Sequence, residues 1–199
     1  MTGTEPESAV DFELVRLAQQ GDKDAFGRLV ERNRRAVFRA AYAALGSAAE
    51  ADDVAQDAFI SAYRKLNGFR GRSSFRTWLL SIAWRKALDR RKTLTRWLRM
   101  TVAHDPSFEG SVDILEHVPA TRPLHDERLA GDELHRLLKR LVAALPRKLR
   151  DALLLAGSGD YSYDEIAVML GTPVGTVKWR VSEARRLLKQ KLAAQGFLV

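Results

Sequence analysis

The sequence predicts an all-α protein with two helical domains joined by a flexible linker, the C-terminal domain being a helix-turn-helix. Apolar residues recur at helical spacing through most of the 199 residues. Alternating runs of β-branched residues, the mark of half-buried strands, are scarce. Between residues 93 and 125 the helical period is lost, and Pro106, Gly110, Pro119 and Pro123 interrupt the chain.

A first helix is expected over Asp11–Gln20, with Phe12, Val15 and Leu17/Ala18 on one side and Gly21-Asp22 as its stop. Asp24–Leu45 continues in helical period through Phe26, Leu29, Val30, Val37, Phe38 and Ala41, and Gly46-Ser47 ends it. Ala49–Leu66 forms a third helix, closed by Asn67-Gly68. A loop, Phe69–Ser73, leads into a fourth helix from Ser74 to about Thr93. Residues 94–125 then form the linker, expected to be largely flexible. Helices resume over residues 126–145, 147–156, 163–170 and 173–194. The expected domains are therefore 10–93 and 126–194.

Lys and Arg number 33 against 25 Asp and Glu, a formal charge of +8. Its distribution says more than its total. Residues 1–62 carry a net −4 and residues 101–133 a net −6, while residues 63–100 hold 12 basic groups and one acid, Asp89, and residues 134–199 a net +7. Two basic blocks separated by an acidic one suggest two surfaces for polyanions. With 46% hydrophobic residues the chain can bury a core. The absence of cysteine excludes disulfides, a thiol nucleophile and cysteine-ligated zinc or iron–sulfur sites. No apolar run approaches the ~20 residues of a transmembrane helix. The first residues are acidic and polar, unlike a secretory signal, so a cytoplasmic protein without membrane insertion is expected.

Near the C-terminus, Ser162-Tyr-Asp-Glu165 has the capping-box pattern, in which hydroxyl and carboxylate satisfy reciprocal backbone N–H groups. Ile166, Ala167, Met169 and Leu170 follow, and Gly171 ends that helix. Thr172 and Pro173 suit the start of the next. It buries Val177, Val181, Ala184, Leu188 and Leu192 and carries Lys178, Arg180, Arg185, Arg186, Lys189 and Lys191 elsewhere. Two helices joined by a glycine turn, the second longer and basic, describe a helix-turn-helix. Residues 173–183 would meet base edges, among them Pro173, Thr176, Lys178, Trp179, Arg180, Ser182 and Glu183. Arg185, Arg186 and Lys189 would meet phosphates.

In the third helix, Asp52, Asp53, Gln56 and Asp57 share one side. Three carboxylates together suit a divalent cation or an acidic docking face; no further oxygen ligands are recognisable, which favours docking. After them Phe69, Phe75, Trp78 and Trp84 interleave with Lys65, Arg70, Arg72, Arg76, Arg85, Lys86, Arg90 and Arg91. Aromatics among cations are what unstacked bases require: π-faces for the bases and positive charge for the backbone. One or two of these rings should pack the core instead, Trp84 first among them.

At these residues the chain resembles a bacterial RNA polymerase sigma factor of the short, two-domain extracytoplasmic-function (ECF) group. The resemblance lies in Asp52-Asp-Val-Ala-Gln-Asp-Ala-Phe59, Phe69-Arg-Gly-Arg-Ser-Ser-Phe-Arg-Thr-Trp-Leu79, Leu145-Pro146, and Tyr163-Asp-Glu-Ile-Ala with Gly171 and Pro173-Val-Gly-Thr-Val-Lys178. It covers roughly residues 12–93 and 126–192. It implies that Asp52, Asp53, Gln56 and Asp57 dock on a coiled coil of the polymerase β′ subunit. It implies that Lys65, Asn67, Phe69, Arg72, Phe75, Arg76, Trp78, Arg85 and Lys86 recognise and melt the promoter minus-10 element, with a flipped base in the loop's pocket. The C-terminal domain would read the minus-35 element and contact the β flap, and the acidic linker would thread through the polymerase channels. An anti-sigma factor is the regulator such a chain would have. Two departures bear on promoter preference: Trp179 stands where the family usually has a small residue, and Glu183 where a basic one is common.

Enzyme readings find little support. No phosphate-binding glycine loop occurs, and Gly157-Ser-Gly-Asp160 lies between helices rather than after a strand. His104, His117, His125 and His135 lack metal-ligand spacing, and no nucleophile–base pair is recognisable, so no catalytic residue, metal or cofactor is expected. A conventional helix-turn-helix regulator would need a dimerisation element, and none is recognisable. A metal-dependent nuclease using Asp52, Asp53 and Asp57 would cleave nucleic acid with a divalent cation.

Overall fold

The computed structural model describes residues 5–102 and 129–197. Eight α-helices occur among them: α1 (Glu5–Gln19), α2 (Lys23–Leu45), α3 (Ala48–Lys65), α4 (Phe75–Val102), α5 (Leu129–Ala143), α6 (Arg147–Gly157), α7 (Tyr163–Leu170) and α8 (Val174–Ala194). A 3₁₀ turn, Leu66–Gly68, follows α3. No strand occurs among the described residues.

Local chemistry sets the helix ends. Asp22 caps α2, its carboxylate accepting from the Asp24 and Ala25 N–H groups. Ser47 caps α3 through the Glu50 N–H. Ser162 and Glu165 form both halves of the capping box at α7. Gly171 closes α7 at φ 59°, a left-handed conformation that costs other residues about 1–2 kcal/mol. Helix α7 thus has the ends its sequence predicts, whereas α8 begins at Val174 with Pro173 in the cap position and no side-chain cap bond, so the expected cap by Thr172 is not formed.

Two boundaries differ from expectation. Helix α1 begins at Glu5 rather than Asp11. Helix α4 runs to Val102, nine residues past the expected end at Thr93. Residues 94–102 contain no Gly or Pro, Thr95 is buried with its hydroxyl on the Arg91 carbonyl at 2.8 Å, and Leu94 and Leu98 stay half-buried. The helix therefore continues into the stretch read as linker. The rest of that linker, 103–125, and the expected start of the next helix at 126 lie outside the described residues.

Helices α2, α3 and α4 pack on one another and α1 lies across α2. Their core is Leu29, Val37, Leu45, Leu66, Leu79, Leu80 and Trp84, each at most 2% exposed. It is lined with alanines (Ala40, Ala41, Ala44, Ala51, Ala58, Ala62, Ala83, Ala87), which let the helices approach closely. A second group forms where α6 and α7 pack on α8 through Leu155, Ile166, Val177 and Val181. The two groups meet: α4 lies against α7 and α2 against α6, and buried side chains run without a break from one to the other.

Candidate functional site

Helix α3 turns Ala51, Val54, Ala55, Ala58 and Ala62 inward. That register leaves Asp52, Asp53, Gln56 and Asp57 exposed together on its outer side. Asp52 and Gln56 border a groove whose other wall is α2, with Arg34, Arg35 and Phe38. Asp53, Gln56 and Asp57 border a second groove towards α4, with Lys86, Asp89 and Arg90. Across it Asp57 lies 3.8 Å from Lys86, and Glu50 accepts both guanidinium donors of Arg90, raising the Arg90 pKa. The face is acidic at its crest and basic on both flanks. Among the described residues, no group of three His, Cys, Asp or Glu side chains converges to hold a metal ion.

The turn after α3 carries the aromatic set. Phe69, Phe75 and Trp78 form one cluster, with ring centroids 5.0 Å apart for Phe69–Trp78, 5.8 Å for Phe75–Trp78 and 6.1 Å for Phe69–Phe75. The three rings are not equivalent. Phe75 is only 3% exposed and serves as the floor. Phe69 and Trp78 are half-buried and keep ring surface open. Trp84 is 1% exposed, in the core as expected. Ser74 caps α4 through the Thr77 N–H at 3.1 Å, and its hydroxyl lies 2.8 Å from that of Thr77. Gly71, at φ 68°, lets the loop turn sharply.

Sequence reasoning missed Gln19. Its amide donates to the carbonyls of Leu66 (2.9 Å) and Phe69 (3.1 Å), tying the end of α1 to the aromatic turn. Nothing in the local pattern around Gln19 marks it. Lys65, Asn67, Arg72 and Arg85 are exposed, and Lys86 is half-buried beside Asp57. Arg76 stands differently: its guanidinium is taken up by Glu165 of α7 (3.1 Å) and by the Asp160 carbonyl (3.0 Å).

On α8, Val177, Val181 and Ala184 face inward. Pro173, Lys178, Trp179, Ser182, Arg185 and Arg186 are exposed, and Thr176, Arg180 and Glu183 are half-buried. Trp179, 61% exposed, has no packing role among the described residues that would account for its size. Glu183 accepts two bonds from Arg186, at 2.7 and 2.8 Å. That partner holds the Glu183 carboxyl below its ordinary value. A base-reading role for Glu183 therefore competes with an intrahelical pair. Thr172 and Arg180 line a cleft against Trp84 and Arg85 of α4.

Comparison with known proteins agrees with this arrangement. Residues 29–97 match the family model of Sigma-70 region 2, and residues 135–188 that of Sigma-70, region 4. The ECF RNA polymerase sigma-E factor of Haemophilus influenzae is 35% identical over 190 residues, 94% of this chain and 97% of that one. Among solved structures, CnrH in complex with the cytosolic domain of CnrY is similar over 93% of this chain and 98% of that one, at 28% identity and a TM-score of 0.63. The sigma factor RpoE of Bartonella quintana, in complex with the anti-sigma factor NepR, shares the fold with a TM-score of 0.58 at 23% identity over 84% of this chain and 96% of that one. The matched regions cover α3 with its acidic face, the aromatic turn, and the helix-turn-helix, and on them this chain belongs to the ECF group of RNA polymerase sigma factors.

Proposed function

We propose that the chain divides its work between two domains, residues 10–93 and 126–194, joined by the linker 94–125. The first docks on the β′ coiled coil of core RNA polymerase through Asp52, Asp53, Gln56 and Asp57. It then holds the opened minus-10 strand against the loop and helix that follow. Phe69 and Trp78 supply ring surface, and Lys65, Asn67, Arg72, Arg76, Arg85 and Lys86 supply polar and cationic contacts. The second domain enters the major groove of the minus-35 element with the start of α8 and meets the β flap. Pro173, Thr176, Lys178, Trp179, Arg180, Ser182 and Glu183 face bases there, with Arg185 and Arg186 on phosphates.

The observation that carries this reading is the pairing, on one helical bundle, of an exposed carboxylate–amide face with a partly open aromatic turn beside it. The chain contributes no bond-making chemistry of its own; it lends recognition and strand opening to the enzyme it joins. Its place of action is the cytoplasm, where the promoter is. No helix among the described residues is long and apolar enough to cross a membrane. Control by an anti-sigma factor is supported by the likeness to RpoE, solved with NepR. Titrating labelled chain with core polymerase tests the docking role. Asp53→Arg should weaken that binding at least tenfold while leaving the helical content unchanged; unaltered affinity would refute it.

A further inference from the structure

The two basic blocks of the sequence, 63–100 and 134–199, meet in a cleft of about 480 Å³ between α4, α6 and the turn from α7 into α8. Arg85 lines it from α4, Lys148 from α6 and Arg180 from α8. Arg85 and Lys148 are exposed and Arg180 is half-buried. None of the three has a carboxylate partner among the described residues. The acid on the cleft wall, Asp151, is already taken: Arg91 donates to both its oxygens, at 2.9 and 3.1 Å. Two other clefts balance their charge. Arg32 and Arg76 share one with Asp11, Asp164 and Glu165, and Lys86 and Arg90 share another with Asp53, Asp57 and Asp89. The cleft of Arg85, Lys148 and Arg180 has no such balance.

Like charges brought together from three helices repel one another unless an anion lies among them. That anion must present oxygens in several directions. A carboxylate offers its two in one plane, whereas a phosphoryl group offers three around a tetrahedron. A phosphate monoester carries a charge of about −1.5 to −2 at pH 7, so matching three cations takes more than one phosphoryl group. Arg85 and Arg180 suit such groups as planar forks, and Lys148 suits them as a point charge. Trp84 forms part of the wall at 1% exposure, and its indole N–H is buried without a hydrogen-bond partner among the described residues. The wall thus holds an unpaired donor as well as charge. Leu88 and Leu170 give the cleft an apolar edge suited to a flat ring, and its volume lies within the ~300–1,000 Å³ of small-ligand sites.

We propose that this cleft binds a small polyphosphate, inorganic or carried on a nucleoside, between Arg85, Lys148 and Arg180. Lys148 is particular to the site, since it belongs neither to the docking face on α3 nor to the residues assigned to promoter DNA. Arg85 and Arg180 are assigned to promoter DNA, so a chain holding polyphosphate on them has them unavailable to the promoter. That consequence alone rests on the division of labour proposed above; the binding itself does not.

Calorimetric titration of the full chain, without polymerase or DNA, tests the site. The probes are orthophosphate, tripolyphosphate and adenosine triphosphate, each without divalent cation and at one fixed ionic strength. Tripolyphosphate should bind saturably and at least about tenfold more tightly than orthophosphate. Lys148→Ala should weaken that binding about tenfold, and Lys148→Arg should keep most of it. Lys191→Ala removes an exposed charge of α8 outside the cleft and should change the affinity by less than about twofold. Lys148 and Lys191 are both exposed, so all the variants should keep the helical circular dichroism of wild type. Tripolyphosphate binding at least as tightly as adenosine triphosphate makes the phosphate chain the whole ligand; tighter adenosine triphosphate adds the nucleoside. Three results would overturn the site: no saturable binding by wild type, orthophosphate binding as tightly as tripolyphosphate, or equal losses in Lys148→Ala and Lys191→Ala. Equal losses are the mark of unspecific attraction to a chain of charge +8. Neither polymerase nor promoter takes part, so failure here leaves the sigma reading standing, and failure of promoter-directed transcription leaves the polyphosphate site standing.

Discussion

Gln19 holds the carbonyl of Phe69, and with it that of Leu66, through a single side-chain amide at 3.1 and 2.9 Å. Helix α1 is thereby a brace for the turn whose aromatic cluster faces the proposed minus-10 strand. Gln19→Ala takes its donor from the Phe69 carbonyl, while the Leu66 carbonyl keeps the Phe69 N–H at 3.0 Å, a cost of about 1 kcal/mol. The expected outcome is a modest drop in melting temperature and slower promoter opening, read by permanganate reactivity of unpaired thymines. Core binding should be unchanged, because α3 is not touched.

Phe75 and Trp78 should separate structure from function. Phe75 is 3% exposed, so Phe75→Ala opens a cavity under the turn and costs about 3–5 kcal/mol, visible as a lowered urea midpoint. Trp78 is half-buried, so Trp78→Ala should cost less stability and more promoter opening. A reversed order of the two effects would show that Phe75, not Trp78, meets the strand.

Glu183 and Arg186 neutralise each other on α8. Glu183→Ala releases the guanidinium for a phosphate. Duplex DNA binding by the holoenzyme should then strengthen with little regard to sequence, and the slope of log K against log salt should steepen by about 1. The bond from Arg186 lowers the Glu183 pKa from the ordinary 4.5. A depressed carboxylate stabilises the fold above its unfolded pKa and loses that contribution as pH falls through the folded value, so the pair should persist unchanged from pH 8 to pH 5.

Trp179 should act on choice of promoter and not on the fold. It is 61% exposed, and Trp179→Ser should leave the unfolding free energy within about 0.5 kcal/mol of wild type. Minus-35 preference, read by selection from a randomised promoter library, should shift. An unchanged selected sequence would remove Trp179 from base reading.

The helix-turn-helix should be sensitive at its joints. Ser162→Ala removes the capping box at a cost of about 1 kcal/mol. At Gly171 a Cβ would meet nothing within 4 Å, so the cost of Gly171→Ala is backbone strain alone, about 1–2 kcal/mol. Both should lower the melting temperature and minus-35 binding together.

What could be read from the sequence was local. The capping box at Ser162, the Gly171 stop, the acidic face of α3 and the inward register of Val177, Val181 and Ala184 are each encoded within one or two turns, and the structure shows them as expected. Helix α4 outran its predicted end because the expected stop was inferred from fading periodicity, whereas no helix breaker occurs before Pro106. The division of labour among Phe69, Phe75 and Trp78 was hidden because all three fit either a core or a base platform; only packing distinguishes the floor from the rim. The brace from Gln19 spans 47 and 50 residues and the Arg76–Glu165 pair spans 89. Pairings at that range leave no mark in a periodic pattern, so the packing of the two helical groups was not foreseeable from any segment.

Promoter-directed transcription is the most direct measure of what the chain does. Purified protein is mixed with core polymerase and a library of genomic fragments, and transcript starts are mapped with and without it. Discrete starts that require this chain, sharing two conserved blocks upstream and lost with Asp53→Arg, are the predicted result. Starts that are unchanged by its addition, together with no measurable affinity for core polymerase, would contradict it.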